Sequence, residues 1–114
     1  MMFPQNPRAR CDEYLRYVRQ QGCVSPGCRK RPVESHHYGP SGVGLKSHDY
    51  QAVGACAFEH HPAWQQGKDK EFQAQFPQIA KQIFTRFAAV NQYSKSKKIR
   101  DFIEKGRAHF EGVK

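Results

Sequence analysis

Two cysteines with four residues between them, Cys23 and Cys28, are followed after seven more by adjacent histidines, His36 and His37, in the run CVSPGCRKRPVESHHYG. Further on, Cys56 precedes His60 and His61 in CAFEHH. Thiolate and imidazole are the ligands that a structural zinc ion takes, and the Pro-Gly turn in VSPG can aim two thiolates at one ion. Cys23, Cys28, Cys56 and His60 therefore make a candidate closed set of three thiolates and one imidazole, the alternative being unrelated buried or exposed cysteines. Glu59, His60 and His61 are three potential ligands in succession, so the fourth zinc position has more than one candidate. One ion held by those four residues leaves His36, His37 and His61 over, and that surplus points to a second, imidazole-held site. Cys11 has no partner nearby in sequence and reads as a half-buried free thiol.

The elements that must position these groups can be read from periodicity. CDEYLRYVRQQG, residues 11–22, places Tyr14, Leu15 and Val18 on one helical face, with Asp12 and Glu13 in the first turn and Gly22 as a stop. PVESHHY and YQAVGAC are short and β-prone, and GPSGVGLKSHD between them is a loop, so the pair predicts a hairpin with a long connection. After Pro62, the residues Trp64, Phe72, Phe76, Ile79, Ile83, Phe87 and Val90 follow near-helical steps, with Pro77 expected to kink or divide the helix. Beyond the polar run QYSKSKK, Ile99, Phe102, Ile103 and Phe110 predict a last helix. Joining the two ends of the hairpin through one ion would offset the modest core implied by 38% hydrophobic residues and a mean hydropathy of −0.86.

Nineteen Lys and Arg against ten Asp and Glu give a net charge of +9 over 114 residues, a field that attracts polyanions. Nucleic acid is the leading partner. A basic protein without such a partner, or one that meets acidic lipid, is the alternative. The excess continues through the tail, where nine basic residues stand against three acidic ones from Lys81 to Lys114. No apolar run approaches the roughly 20 residues needed to cross a bilayer, and MMFPQNPRAR has no signal-peptide pattern, so a cytoplasmic location and no membrane partner are expected. In a reducing compartment the four cysteines are expected to be ligands or free thiols; a secreted protein with two disulfides is the weaker alternative.

The order of these parts, a histidine pair on a short strand, a loop, a second strand and a helix opening with His60-His61, resembles the HNH nucleases, also called ββα-metal or His-Me finger nucleases. The likeness spans roughly residues 14–76. YLRYVRQQGC, ESHHYGPSGVGLKSHDY, AVGACAFEHH and QGKDKEF are similar, more narrowly, to the small zinc-containing HNH proteins of phages and prophages, including those associated with recombination. The resemblance implies an α+β fold: an N-terminal helix, a zinc-clamped ββα-metal core and a helical, basic C-terminal extension. It divides the chain into a disordered or extended segment 1–10, the core domain 11–76 and the extension 77–114. It also implies that His36 and His61 ligate a catalytic divalent ion, Mg2+, Mn2+ or another, and that His37 is the general base, with zinc as the structural ion.

Two departures from the family pattern bear on the site. Three residues rather than two separate Cys56 from the histidines, so either His60 completes the zinc site and His61 the catalytic one, or Glu59 takes the zinc position and His60 the catalytic one. The first is preferred because imidazole suits zinc better than carboxylate does. Where relatives carry a further histidine one turn later, this chain has Trp64 or Gln65. Asp49 is the expected residue behind the base, with Gln51 as the other candidate; Asp49 could instead cap a turn. Arg29, Lys30, Arg31 and loop residue Lys46 are candidate phosphate contacts, whereas His48 and His109 read as surface histidines. The expected activity is metal-dependent hydrolysis of DNA phosphodiesters with little sequence preference, on DNA whose form is left open between double-stranded, branched and single-stranded, with a protein partner or a DNA structure expected to direct it; the alternative is a zinc-stabilised nucleic-acid-binding module that does not cleave.

Overall fold

The computed structural model describes residues 9–38 and 48–112. Lys46 and most of the loop expected between the strands lie outside them. The first helix, α1 (Asp12–Gln20), forms where predicted, burying Tyr14 and Val18 one turn apart and ending before Gly22, whose φ of +96° suits a residue without a Cβ. Cys11 is its extended N-cap, and is fully buried at 1% exposure rather than half-buried.

The strands β1 (Val33–His37) and β2 (Ala52–Cys56) pair antiparallel, Val33 opposite Cys56 and His37 opposite Ala52. The second strand starts later than the pattern YQAVGAC implies, because Asp49–Gln51 coil into a 3-10 turn closed by Gln51 N–H donating to the His48 carbonyl at 2.9 Å. Alternation along β1 sends Val33, Ser35 and His37 to one face and Glu34 and His36 to the other. The C-terminal end of α1 lies against the first of these faces: Arg19 Nη1 donates to Ser35 Oγ at 3.2 Å, and a Cβ on Gly54 would stand 2.2 Å from the Gly22 carbonyl oxygen. Trp64 and Phe76 lie against His36 on the other face.

The helical segment after the hairpin divides earlier than Pro77 suggests. Short helices α2 (His60–Gln65) and α3 (Lys70–Gln73) are separated by Gly67 and Asp69, both at positive φ, and α4 (Phe76–Asn91) begins just before Pro77. Proline lacks the N–H that a first helical turn leaves unpaired anyway, so at this position it starts a helix instead of kinking one. Val90, counted on the apolar face by periodicity, is 60% exposed.

The last helix, α5 (Lys97–Gly112), crosses α4 closely: a Cβ on Gly106 would lie 2.2 Å from the Phe84 ring. Phe102, Ile103 and Phe110 of α5 join Tyr14, Val18, Val53, Phe84 and Phe87 in one core. Ala55, Trp64 and Phe76 form a smaller cluster beside it. The chain is thus a small α+β fold with a two-stranded antiparallel sheet and five α-helices among the described residues. No helix is long and apolar enough to cross a membrane among these residues.

Candidate functional site

Cys23 follows the stop of α1, Cys28 closes a turn through its N–H to the Ser25 carbonyl at 3.0 Å, Cys56 ends β2 and His60 opens α2. Two short stretches of backbone, 23–28 and 56–60, thereby bring the ligand atoms of Cys23, Cys28, Cys56 and His60 within 4.8 Å of one another. His60 Nδ1 lies 3.2 Å from Cys56 Sγ and 3.4 Å from Cys23 Sγ, while the His60 backbone N–H donates to Cys56 Sγ at 3.1 Å. Ligands at ~2.3 Å around a tetrahedral ion stand about 3.8 Å apart, so these four donors fit a metal ion such as zinc. Burial pushes the Cys23 thiol up to about 11, and a cation is what would reverse that and hold it as thiolate. Glu59, the alternative fourth ligand, turns instead to Lys30, with which it pairs.

A second cluster lies at the opposite end of β1. His37 Nε2 is 2.9 Å from Asp49 Oδ1. A carboxylate only accepts, so the hydrogen belongs to the imidazole. The other carboxylate oxygen, Oδ2, accepts the Cys11 N–H at 2.8 Å. Asp49, 1% exposed, therefore joins His37 to the backbone N–H of Cys11, the N-cap of α1, where the positive end of the helix favours an anion. Gln51, the other candidate, is engaged elsewhere: its Oε1 accepts the His48 N–H at 2.8 Å and its side chain bonds Tyr38. This orienting arrangement does not touch the sulfur group.

On the other face of the strand, the His36 and His61 rings meet edge to face with centroids 5.4 Å apart. His36 is 8% exposed, and burial, aided by the charges of His61 and His37, pushes it down to about 4, which keeps it a neutral ligand-competent imidazole at physiological pH. His61 Nδ1 lies 2.8 Å from Glu34 Oε1, a partner the sequence reading missed. The one signal for it was position: Glu34 is two residues before His36 and shares its face. Among the described residues, these three do not draw together as tightly as the Cys/His group, which is the one close cluster of three or more such side chains. Trp64, 2% exposed, stacks on His60 of the Cys/His group at 5.1 Å and lies 5.8 Å from His36, and Gln65 is exposed.

Among the expected phosphate contacts, Arg29, Lys30 and Arg31 are exposed beside the sulfur group; Lys30 is paired with Glu59, and Arg31 Nη2 donates to the Gln20 carbonyl at 3.4 Å. His48 and His109 are not free surface groups. His48 Nδ1 accepts the Ala9 N–H at 2.8 Å, and both rings pack on Tyr50, at 4.9 and 4.8 Å.

A family model described as "Protein of unknown function (DUF968)" matches residues 1–90. The chain belongs to the DUF968 family. The match takes in α1, the hairpin, both histidine groups, the sulfur group and nearly all of α4, and ends before α5. No curated protein and no solved structure matches this DUF968 chain.

Proposed function

We propose that this DUF968 protein is an HNH-type, metal-dependent DNA endonuclease whose ββα-metal core is β1, β2 and α2, clamped by zinc on Cys23, Cys28, Cys56 and His60. The observation that carries the reading is the His37–Asp49 pair: an imidazole held at 2.9 Å by a buried carboxylate that is itself anchored on the N-terminus of α1. With Nε2–H donated to Asp49, Nδ1 is the nitrogen that takes a proton from water, and the carboxylate stabilises the imidazolium that results. His36 and His61 would hold the second ion. A divalent cation bound there supplies Lewis-acid polarisation of the scissile phosphate and charge stabilisation at the leaving oxygen. The chain's own part is to orient water through His37, to keep His36 neutral by burial, and to attract the DNA backbone with its excess of nineteen cations over ten anions.

The second reading, a zinc-stabilised nucleic-acid-binding module, is favoured by one observation: Trp64 and Gln65 offer no imidazole one turn after His61, which leaves the second ion with fewer protein ligands. Incubation of the zinc-loaded protein with supercoiled plasmid and Mg2+ or Mn2+ separates the two. Metal-dependent conversion to nicked or linear DNA is the expected result. Plasmid retardation without any strand break under either ion would favour the binding module.

A further inference from the structure

The residue left over by this account is Glu34. It stands on β1 two positions before His36, on the same face, and its Oε1 meets Nδ1 of His61 at 2.8 Å across 27 residues of sequence. The His61 side chain is 15% exposed and that of Glu34 53%, so the carboxylate sits at the rim and the imidazole beneath it. A carboxylate accepts but does not donate at neutral pH, which requires the His61 hydrogen to be on Nδ1. The lone pair is then on Nε2. Metal-binding histidines commonly give their second nitrogen to such a carboxylate, which fixes the tautomer and raises the basicity of the ligating nitrogen.

We propose that Glu34 is the positioning residue of the second metal site: it locks His61 as the Nδ1–H tautomer so that Nε2 is presented to a divalent cation beside His36. The inference rests on the reading of His36 and His61 as metal ligands, and it explains how a site without a further histidine on α2 holds its ion. The strand supplies by its alternation what the helix lacks: one imidazole directly, and a carboxylate that sets the other.

Long-range proton–nitrogen correlation spectra of the zinc-loaded protein at mildly alkaline pH read the His61 tautomer without any second ion. The wild type is expected to show Nδ1–H at His61, Glu34→Gln to keep it because the amide oxygen still accepts, and Glu34→Ala to lose it in favour of Nε2–H or a mixture. Calorimetric titration with Mn2+ is expected to show Glu34→Ala binding about 10-fold or more weaker than wild type, with Glu34→Gln in between. A wild-type His61 already in the Nε2–H form, or a Glu34→Ala protein that binds Mn2+ as tightly as wild type, overturns the proposal. Absence of Mn2+ binding in the wild type would overturn the second metal site itself, and the spectra would still decide whether Glu34 sets the ring.

Discussion

Asp49 does two jobs with its two oxygens, and substitutions can separate them. Asp49→Asn keeps the shape but removes the charge that supports an imidazolium on His37; nicking of plasmid is expected to fall about 100-fold or more, the scale of losing an oriented base. Asp49→Ala additionally leaves the buried Cys11 N–H without its acceptor, and denaturant melts should show a loss of about 1–3 kcal/mol that Asp49→Asn largely avoids. Equal activity in Asp49→Asn and wild type would remove the pair from the chemistry. The sulfur ligands and the histidine pair were legible because their spacing is local and their chemistry restricts the choice of residue. The selection of Asp49 over Gln51 was only half legible, since which of them reaches back depends on a 3-10 turn that strand periodicity hides. Glu34 was legible only as a residue on the His36 face of β1, and nothing local in sequence ties it to His61.

At the scale of elements, the hairpin is fastened at one end by the Cys/His group and at the other by the Asp49 bridge to α1, while α4 and α5 back it with aromatic packing. Gly106→Ala places a methyl 2.2 Å from the Phe84 ring and is expected to destabilise by about 1–3 kcal/mol, read by thermal melting with zinc content unchanged. Docking of α5 also carries a pH dependence. His109 packs on Tyr50 and near His48, and burial first, then the His48 charge, holds its pKa below the ordinary imidazole value. The undocked residue therefore takes a proton first as pH falls, so the contribution of docking is full above roughly pH 6.5 and declines below it. Protection factors of α5 amides, which correct for the intrinsic slowing of exchange in acid, should fall on acidification, and more steeply in the wild type than in His109→Gln; parallel slopes would contradict the assignment. The apolar steps of α5 and, Val90 excepted, those of α4 were readable from period alone, but the role of Pro77 was not. A proline marks a boundary without saying on which side of it the helix lies, and Gly67 and Asp69 had already broken the chain upstream.

For the whole molecule, the proposed function turns on the separation of two histidine groups: one face of β1 carries His37 toward Asp49, the other carries His36 toward His61, and the cysteine cluster sits apart from His37. Removal of zinc by a chelator should release the hairpin ends and α2 together, and Trp64, the single tryptophan, should report it by a change in emission because its ring stacks on His60. The net charge of +9 predicts DNA binding that weakens steeply with salt, and a titration flat in salt would speak against contact with the phosphate backbone. The most direct measurement is cleavage by His37→Ala beside wild type, with zinc content and melting temperature determined on the same samples. The account predicts one zinc per chain and an unchanged fold in both, with cleavage reduced about 100-fold or more in the variant. A His37→Ala protein that cuts at the wild-type rate, or that loses its zinc along with its activity, would contradict it.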